Sequence, residues 1–286
     1  MTHISYLTPQ RSSTLELTPE PTLAARQRMA LRDLREAAGM WRLCWTLAWL
    51  DIRLRYRGSM LGPFWLTLST GIMVGAMGGI YSQLFHVNLH EYLPFLALSL
   101  VLWGFLGTLV GDACVGYTSA ESTIRSMRMP YILFAARIVV RNVLVLAHNL
   151  LAIIAVFALL RIVPAREALW AVPAFALWLV DGVAVCVLLG ALCARFRDIP
   201  PIVGSVMQIL FLVTPVIWKP ELLGRGRDWM LTYNPMYPAL EIVRSPLLGS
   251  IPSLQIYASA ILFSLVLCGG TWLLFARVRA RIPFWV

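Results

Sequence analysis

Lysine is almost absent from this chain. A single one, Lys219, stands between Trp218 and Pro220, and the other 23 of the 24 basic residues are arginine. No G-x-x-x-x-G-K-[ST] loop exists, which excludes nucleotide hydrolysis by the P-loop route for this polypeptide. Charge of either sign is also scarce, at 13% of the 286 residues, where soluble domains carry about 25%. The hydrophobic share is 59% and the mean hydropathy +0.74, so too little polar surface exists to meet water and lipid must solvate much of the chain. The five cysteines, Cys44, Cys114, Cys186, Cys193 and Cys268, are scattered. A disulfide framework or a zinc site needs tighter spacing, and they read as small buried hydrophobes. A net charge of +10 invites a nucleic-acid partner. The basic residues are instead distributed between apolar runs, and no nucleic-acid partner is expected. No cleavable signal peptide is expected either, because the first apolar run begins past residue 60, behind a charged region.

Intramembrane catalysis lacks its residues. Ser205 follows Gly204 but no G-x-S-x-G elbow surrounds it. Of the four histidines only His148 falls inside an apolar run, and no His or carboxylate cluster suits a metal. His86, His90 and Glu91 read as a short solvated hairpin. A membrane-embedded transferase acting on lipid-linked glycans and an ion-coupled secondary transporter stay as alternative classes. The first would want paired acids, the second several ionisable groups at one midplane site. Neither set is present.

What the chain does have is an all-α membrane pattern. Residues 1–30 read as a disordered cytosolic tail and 31–62 as one amphipathic interfacial helix. Residues 63–286 read as a domain of six transmembrane helices, with a re-entrant helical segment before the last. In the interfacial helix, Trp41, Trp45, Trp49, Ile52 and Tyr56 form one arc and Leu43, Leu47, Leu50 and Leu54 another, with Arg42, Arg53 and Arg57 between them. The expected spans are Phe64–Phe85, Leu93–Gly111, Val143–Leu160, Ala168–Cys193, Ile199–Trp218 and Ile256–Ala276, each near the roughly 20 residues a bilayer requires. The third starts either there or near Ile132, with Arg137 and Arg141 in its cytosolic end. With both termini in the cytosol, 18 basic residues lie inside and six outside, the bias that the positive-inside rule demands. Between Lys219 and Gln255, Pro235, Pro238, Pro246 and Gly249 interrupt an apolar pattern. Two short helices dipping into the outer leaflet are expected there, covered by protein or lining a pathway.

Ionisable groups inside the spans are few. Asp112 lies near the cytosolic end of the second span and reads as facing water. Asp181 is mid-span, either paired with His148 or Arg141 or serving a pathway directly. Aromatic residues are abundant (11 Trp, 9 Tyr, 12 Phe). They suit interfacial belts as well as the C–H faces of sugars, and composition does not separate the two.

Three ordered blocks carry a family resemblance. Residues 47–65, Leu-Ala-Trp-Leu-Asp-Ile-Arg-Leu-Arg-Tyr-Arg-Gly-Ser-Met-Leu-Gly-Pro-Phe-Trp, resemble a block in which an acidic-basic helix precedes R-Y-[RK]-x-S-x-L-G-x-x-W. Residues 195–218 begin Arg-Phe-Arg-Asp-Ile-Pro, end Thr-Pro-Val-Ile-Trp, and resemble a second. Residues 234–249, from Asn-Pro-Met through Arg244 to Gly249, resemble a third, N-P-[ML]-x-x-x-[IL]-x-x-x-R. The family is that of the ABC-2 type polysaccharide-export permeases of O-antigen, capsule and teichoic-acid systems. Pro63 inside the first block and the long N-terminal tail depart from it.

The resemblance implies a permease in the bacterial inner membrane that acts as a homodimer with two ABC ATPase subunits. It would move a lipid-linked polysaccharide to the outer face. It implies no cofactor in this chain, ATP and magnesium being held by the partner ATPase. Arg53, Arg55 and Arg57 become candidates for the lipid pyrophosphate, since guanidinium matches phosphate in a bidentate fork; plain positive-inside anchoring is the alternative. Glu121, Arg125 and Arg128 lie in a short charged loop suited to seating in the ATPase. Trp65, Tyr81, Phe211, Trp218, Tyr233 and Tyr237 are candidates for the polysaccharide pathway, the last two one helical turn apart.

Overall fold

A computed structural model describes residues 22–58, 64–226 and 233–286. The described residues form helices and no strands. In chain order the helices are α1 (Leu23–Gly39), α2 (Trp41–Arg55), α3 (Phe64–Leu84), α4 (Leu89–Cys114), α5 (Glu121–Ser126), α6 (Tyr131–Leu159), α7 (Ala171–Arg195), α8 (Ile199–Val213), α9 (Met236–Leu247), α10 (Leu254–Val278) and α11 (Ile282–Trp285). Four stretches among the described residues are long and apolar enough to cross a membrane: Leu89–Cys114, Tyr131–Leu159, Arg166–Arg195 and Leu254–Trp285. The last two include the tight turns that adjoin α7 and α10.

The helix α4 is the axis of the bundle. It is apolar all round, the mark of a helix surrounded by others, and its residues Tyr92 to Trp103 are buried without a break. It packs against α3, α6, α7, α8 and α9. Small residues let these helices approach, as packing between membrane helices requires. A Cβ added at Gly182 of α7 would stand 3.1 Å from Leu109 of α4 and 3.3 Å from Val139 of α6. At Gly78 of α3 it would meet Leu93 of α4 at 2.3 Å.

The N-terminal region differs from its reading. Helix begins at Leu23, inside the stretch expected as tail, with the Thr22 hydroxyl accepting from the Ala25 amide at 3.3 Å as N-cap. Two helices replace the single one, because the chain breaks at Met40, whose amide donates to Glu36 and Ala37. One face of α1 (Ala30, Asp33, Ala37) is buried, and α1 packs against α6 and α10. On α2 the buried stripe is Cys44, Ala48 and Ile52, against α6. Two of those three residues are small. The tryptophan arc remains outside, with Trp41, Trp45 and Trp49 exposed at 63%, 50% and 47%.

Two expected spans have other limits. The third is one unbroken helix from Tyr131, so the earlier start holds, and Pro130 precedes its first residue where no intrahelical N–H is needed. The fifth stops at Val213 instead of running to Trp218. Pro215 forces this. The residue before a proline is driven out of the α region, and Thr214 is extended, with φ −81° and ψ 139°.

Candidate functional site

Three polar constellations stand out from the apolar bundle. The first ties α2, α4 and α6 together at the arginine-rich end. Asp51 of α2 accepts from Arg137 Nε at 2.8 Å and also from its Nη2, and lies 3.5 Å from Arg141. Arg141 Nη2 is 2.8 Å from Asp112 of α4, which accepts from Asn142 Nδ2 at 2.9 Å and has Arg55 at 3.8 Å. Two carboxylates thus face three arginines, mostly withdrawn from water. Such a pair needs its hydrogen bonds filled; the network supplies all but that of Arg141 Nε, which is buried without a partner among the described residues. Asp112 is accordingly partnered, not simply solvated.

The second constellation holds the broken end of α8. From Thr214 to Trp218 the chain is not helical, so its carbonyls need partners from elsewhere. Arg244 of α9 supplies one, donating to the Pro215 carbonyl at 2.5 Å and to Ser99 Oγ of α4 at 2.8 Å. Its guanidinium pairs with Glu241 and lies 4.4 Å from the Phe95 ring. Tyr92 of α4 donates to the Ile217 carbonyl at 2.5 Å, and Asn234 Nδ2 donates to Thr214 Oγ1 at 2.9 Å. The side-chain oxygen Oδ1 of Asn234 accepts from the Met236 amide at 2.9 Å, at the start of α9. Arg244 is 1% exposed. It therefore does not belong with the free outer charges among which a charge count places it.

The third lies where α1, α5 and the C-terminal segment meet. Asp33 is fully buried and accepts from Arg279 Nε and Nη2 at 2.9 and 2.7 Å and from the Ile132 amide at 3.1 Å. Burial raises its carboxyl above the usual carboxylate range, and these donors offset part of the rise. A cavity of about 620 Å³ opens beside it, lined by Arg32, Glu36, Arg125, Arg128 and Tyr131 among others. Glu121 and Arg125 pair at 2.9 Å one turn apart, both largely exposed, and Arg125 also donates to the Val286 carbonyl at 2.5 Å. Arg128 is exposed beside them. Of the three residues read for partner seating, Arg125 and Arg128 line this cavity, and Glu121 joins them through its pair with Arg125.

The other sequence candidates are dispersed. Arg53 and Arg57 are exposed and form no ion pair among the described residues, whereas Arg55 is engaged with Asp112. Trp65 and Tyr81 are 16 residues apart on α3, about 24 Å along the axis, so one site cannot hold both. Tyr81 stacks on Phe85 with centroids 5.5 Å apart, and Phe85 meets Tyr92 at 6.3 Å. This aromatic chain leads to the α8 end, where Trp218 donates to the Leu212 carbonyl at 3.1 Å. Phe211 packs at 5.8 Å from Trp103, and both line an open cavity of about 470 Å³ with Met207 and Gln208. Tyr233 is 80% exposed, and Tyr237 is partly buried on α9. The residues between them and the preceding turn, 227–232, lie outside the described residues, as do 59–63 of the first sequence block.

Asp181 pairs with neither suggested partner. Arg141 is held by Asp51 and Asp112. The His148 ring faces the Leu144 carbonyl at 2.7 Å and meets Phe64 edge-on at 6.5 Å. Asp51, the acid of the first sequence block and the sole acid of α2, is given no role by the sequence pattern, although it stands before three arginines.

A bundle of long apolar helices, stapled at one end by half-buried ion pairs, defines an integral membrane protein. The family model described as "ABC-2 type transporter" matches residues 42–248, which includes the first two sequence blocks and all but the last residue of the third. The chain belongs to that family. It is similar to an O-antigen export system permease protein RfbA of Klebsiella pneumoniae, 22% identical over 191 residues, covering 65% of this chain and 72% of that protein. A protein of the same name from Myxococcus xanthus is 24% identical over 212 residues, covering 72% of this chain and 80% of its own length.

Proposed function

We propose that this chain is the transmembrane permease subunit of an ATP-driven exporter. It moves a lipid-linked polysaccharide, of O-antigen or capsule type, from the cytosolic to the outer face of the bacterial inner membrane. The observation that carries the reading is the family match across residues 42–248, together with relatives named for O-antigen export. With no phosphate-cradling loop in the sequence, the energy comes from a separate ATPase. Two permeases and two ATPases make the assembly, and both permease termini are cytosolic.

Six spans complete the bundle when α3 and α8 join the four long apolar helices. The 21 residues of α3 reach about 31 Å, enough for the hydrocarbon core. The 15 residues of α8 reach about 22 Å, and the pinned Thr214–Trp218 backbone supplies the rest. Irregular backbone at such depth needs protein cover, which α4 and α9 give. The described parts of the segment after α8, 219–226 and 233–247, then cap the outer side, with Tyr233 and Tyr237 toward the pathway. Arg53 and Arg57 at the opposite end receive the pyrophosphate, and Glu121, Arg125 and Arg128 seat on the ATPase.

Deleting the coding sequence in its native host tests this reading. The expected result is loss of surface polysaccharide with lipid-linked polymer accumulating in the inner membrane. Unaltered surface polymer, or a polymer that is never assembled, would overturn it.

A further inference from the structure

The cavity beside Asp33 is bounded on two sides by elements other than the charged loop of α5. From α1 it is lined by Met29, Arg32 and Glu36, and from the C-terminal segment by Arg279, Ala280 and Pro283. The family match covers residues 42–248, so both of these walls lie outside it. They are nevertheless firmly built in. Asp33 of α1 accepts from Arg279 and from the Ile132 amide, and Trp272 Nε1 of α10 donates to Gln27 Oε1 of α1 at 2.5 Å. Positions 29, 32, 33 and 36 recur at helical spacing, so they share one side of α1. That side turns a buried acid to the bundle and exposed side chains to the cavity.

The lining combines two chemistries. Met29, Met127, Met129 and Ile124 form its apolar part, and Met29 and Met127 are 37% and 56% exposed. Methionine is unbranched and polarisable, adapts to the shape it meets, and is over-used at binding surfaces. Around it stand four arginines against two acids. Arg279 is taken by Asp33. Arg32 meets Glu36, and Arg125 meets Glu121, in exposed pairs that contribute little and exchange readily. Arg128 forms no ion pair among the described residues. A free phosphate would use the arginines and leave the methionines wet, and an acyl chain would do the reverse. A polypeptide segment whose apolar side chain is flanked by carboxylates satisfies both. The space, about 620 Å³, falls within the roughly 300–1,000 Å³ of ligand-sized sites.

We propose that this cavity receives an apolar segment of the ABC ATPase flanked by acidic side chains, and that α1 thereby selects which ATPase the permease accepts. This rests on the reading of Glu121, Arg125 and Arg128 as the ATPase seat, and adds to that seat a wall on α1. The apolar anchor enters among the three methionines, as an amphipathic segment lies in a groove. One flanking carboxylate takes Arg128, and another exchanges with Glu36 for Arg32. Asp33 bonds both the first turn of α6 and the end of α10, so a segment seated against α1 bears on two spans at once.

The affinity of the full chain in lipid nanodiscs for the ABC ATPase proposed as its partner tests this. Met29→Glu and Arg32→Glu change exposed positions on α1, away from the α5 loop. Each should weaken binding more than tenfold with the melting temperature of wild type. Arg128→Glu should weaken it as much, and should also flatten the fall in affinity that rising salt produces in wild type. Wild-type affinity in both α1 variants, beside a Glu121→Ala/Arg125→Ala double variant that binds poorly, would leave the loop as the seat and overturn the proposal. Wild-type affinity in that double variant as well would remove the seat itself, and the proposal with it.

Discussion

Arg244 donates to the carbonyl of Pro215, 29 residues earlier, at 2.5 Å with the guanidinium wholly buried. That bond joins the second sequence block to the third. Proline at 215 ends α8 and leaves backbone oxygens without helical partners; Arg244 of α9 and Tyr92 take up those of Pro215 and Ile217, while Asn234 holds the Thr214 hydroxyl. The spacing between a Thr-Pro and an Asn-Pro…Arg is therefore a folding requirement before it is anything else.

Replacing Arg244 by leucine removes this donor and leaves Glu241 buried without its cation. A loss of about 3–5 kcal/mol follows from breaking a buried pair on one side. Arg244→Lys keeps the charge but not the fork that reaches Ser99, Pro215 and Glu241 together, and should recover only part. Thermal unfolding in detergent measures both. A leucine variant as stable as wild type would remove the role given to this residue.

The Asp51–Arg137 pair should show coupling in a double-mutant cycle. Single changes to Asn and Gln each strand a half-buried charge, and the double change should cost less than their sum by about 0.5–3 kcal/mol. Additive effects on the melting temperature would contradict the network. Arg53→Gln and Arg57→Gln, whose side chains bond nothing among the described residues, should leave stability within about 0.5 kcal/mol and act on export alone.

Alanine at both Glu121 and Arg125 removes an exposed pair worth under about 1 kcal/mol, so membrane insertion and thermal stability should hardly change. Substrate-stimulated ATP turnover in the assembled complex should fall. Full stimulation in the double variant would separate this loop from the ATPase.

Much of this architecture is legible in the sequence, and the exceptions have physical causes. Long apolar runs report α4, α6, α7 and α10 because lipid leaves helix as the only span available to them. Pro130 and the run after it foretell the early start of α6. The stop of α8 at Val213 was visible in Pro215, but hydropathy continues through Val216 and Ile217 and masks it. Pairings across long chain separations leave no local mark. Asp51 and Arg137 are 86 residues apart, and nothing in either neighbourhood names the other. A charge count likewise treats Arg244 as any exposed arginine, since burial is a property of the packed bundle. The pathway aromatics are legible only as aromatics; Trp65 and Tyr81 stand near opposite ends of α3, a separation that only an extended polymer would bridge.

Transport of polymer across a sealed bilayer is the most direct measurement. The chain, co-reconstituted in lipid vesicles with the ABC ATPase proposed as its partner, is given lipid-linked polysaccharide in the leaflet that carries the ATPase. With ATP, the polymer should become accessible to a glycan-degrading enzyme confined to the opposite side. Without ATP, or with a hydrolysis-deficient ATPase, it should stay protected. Equal protection with and without ATP, in vesicles whose ATPase turns over normally, would contradict the account.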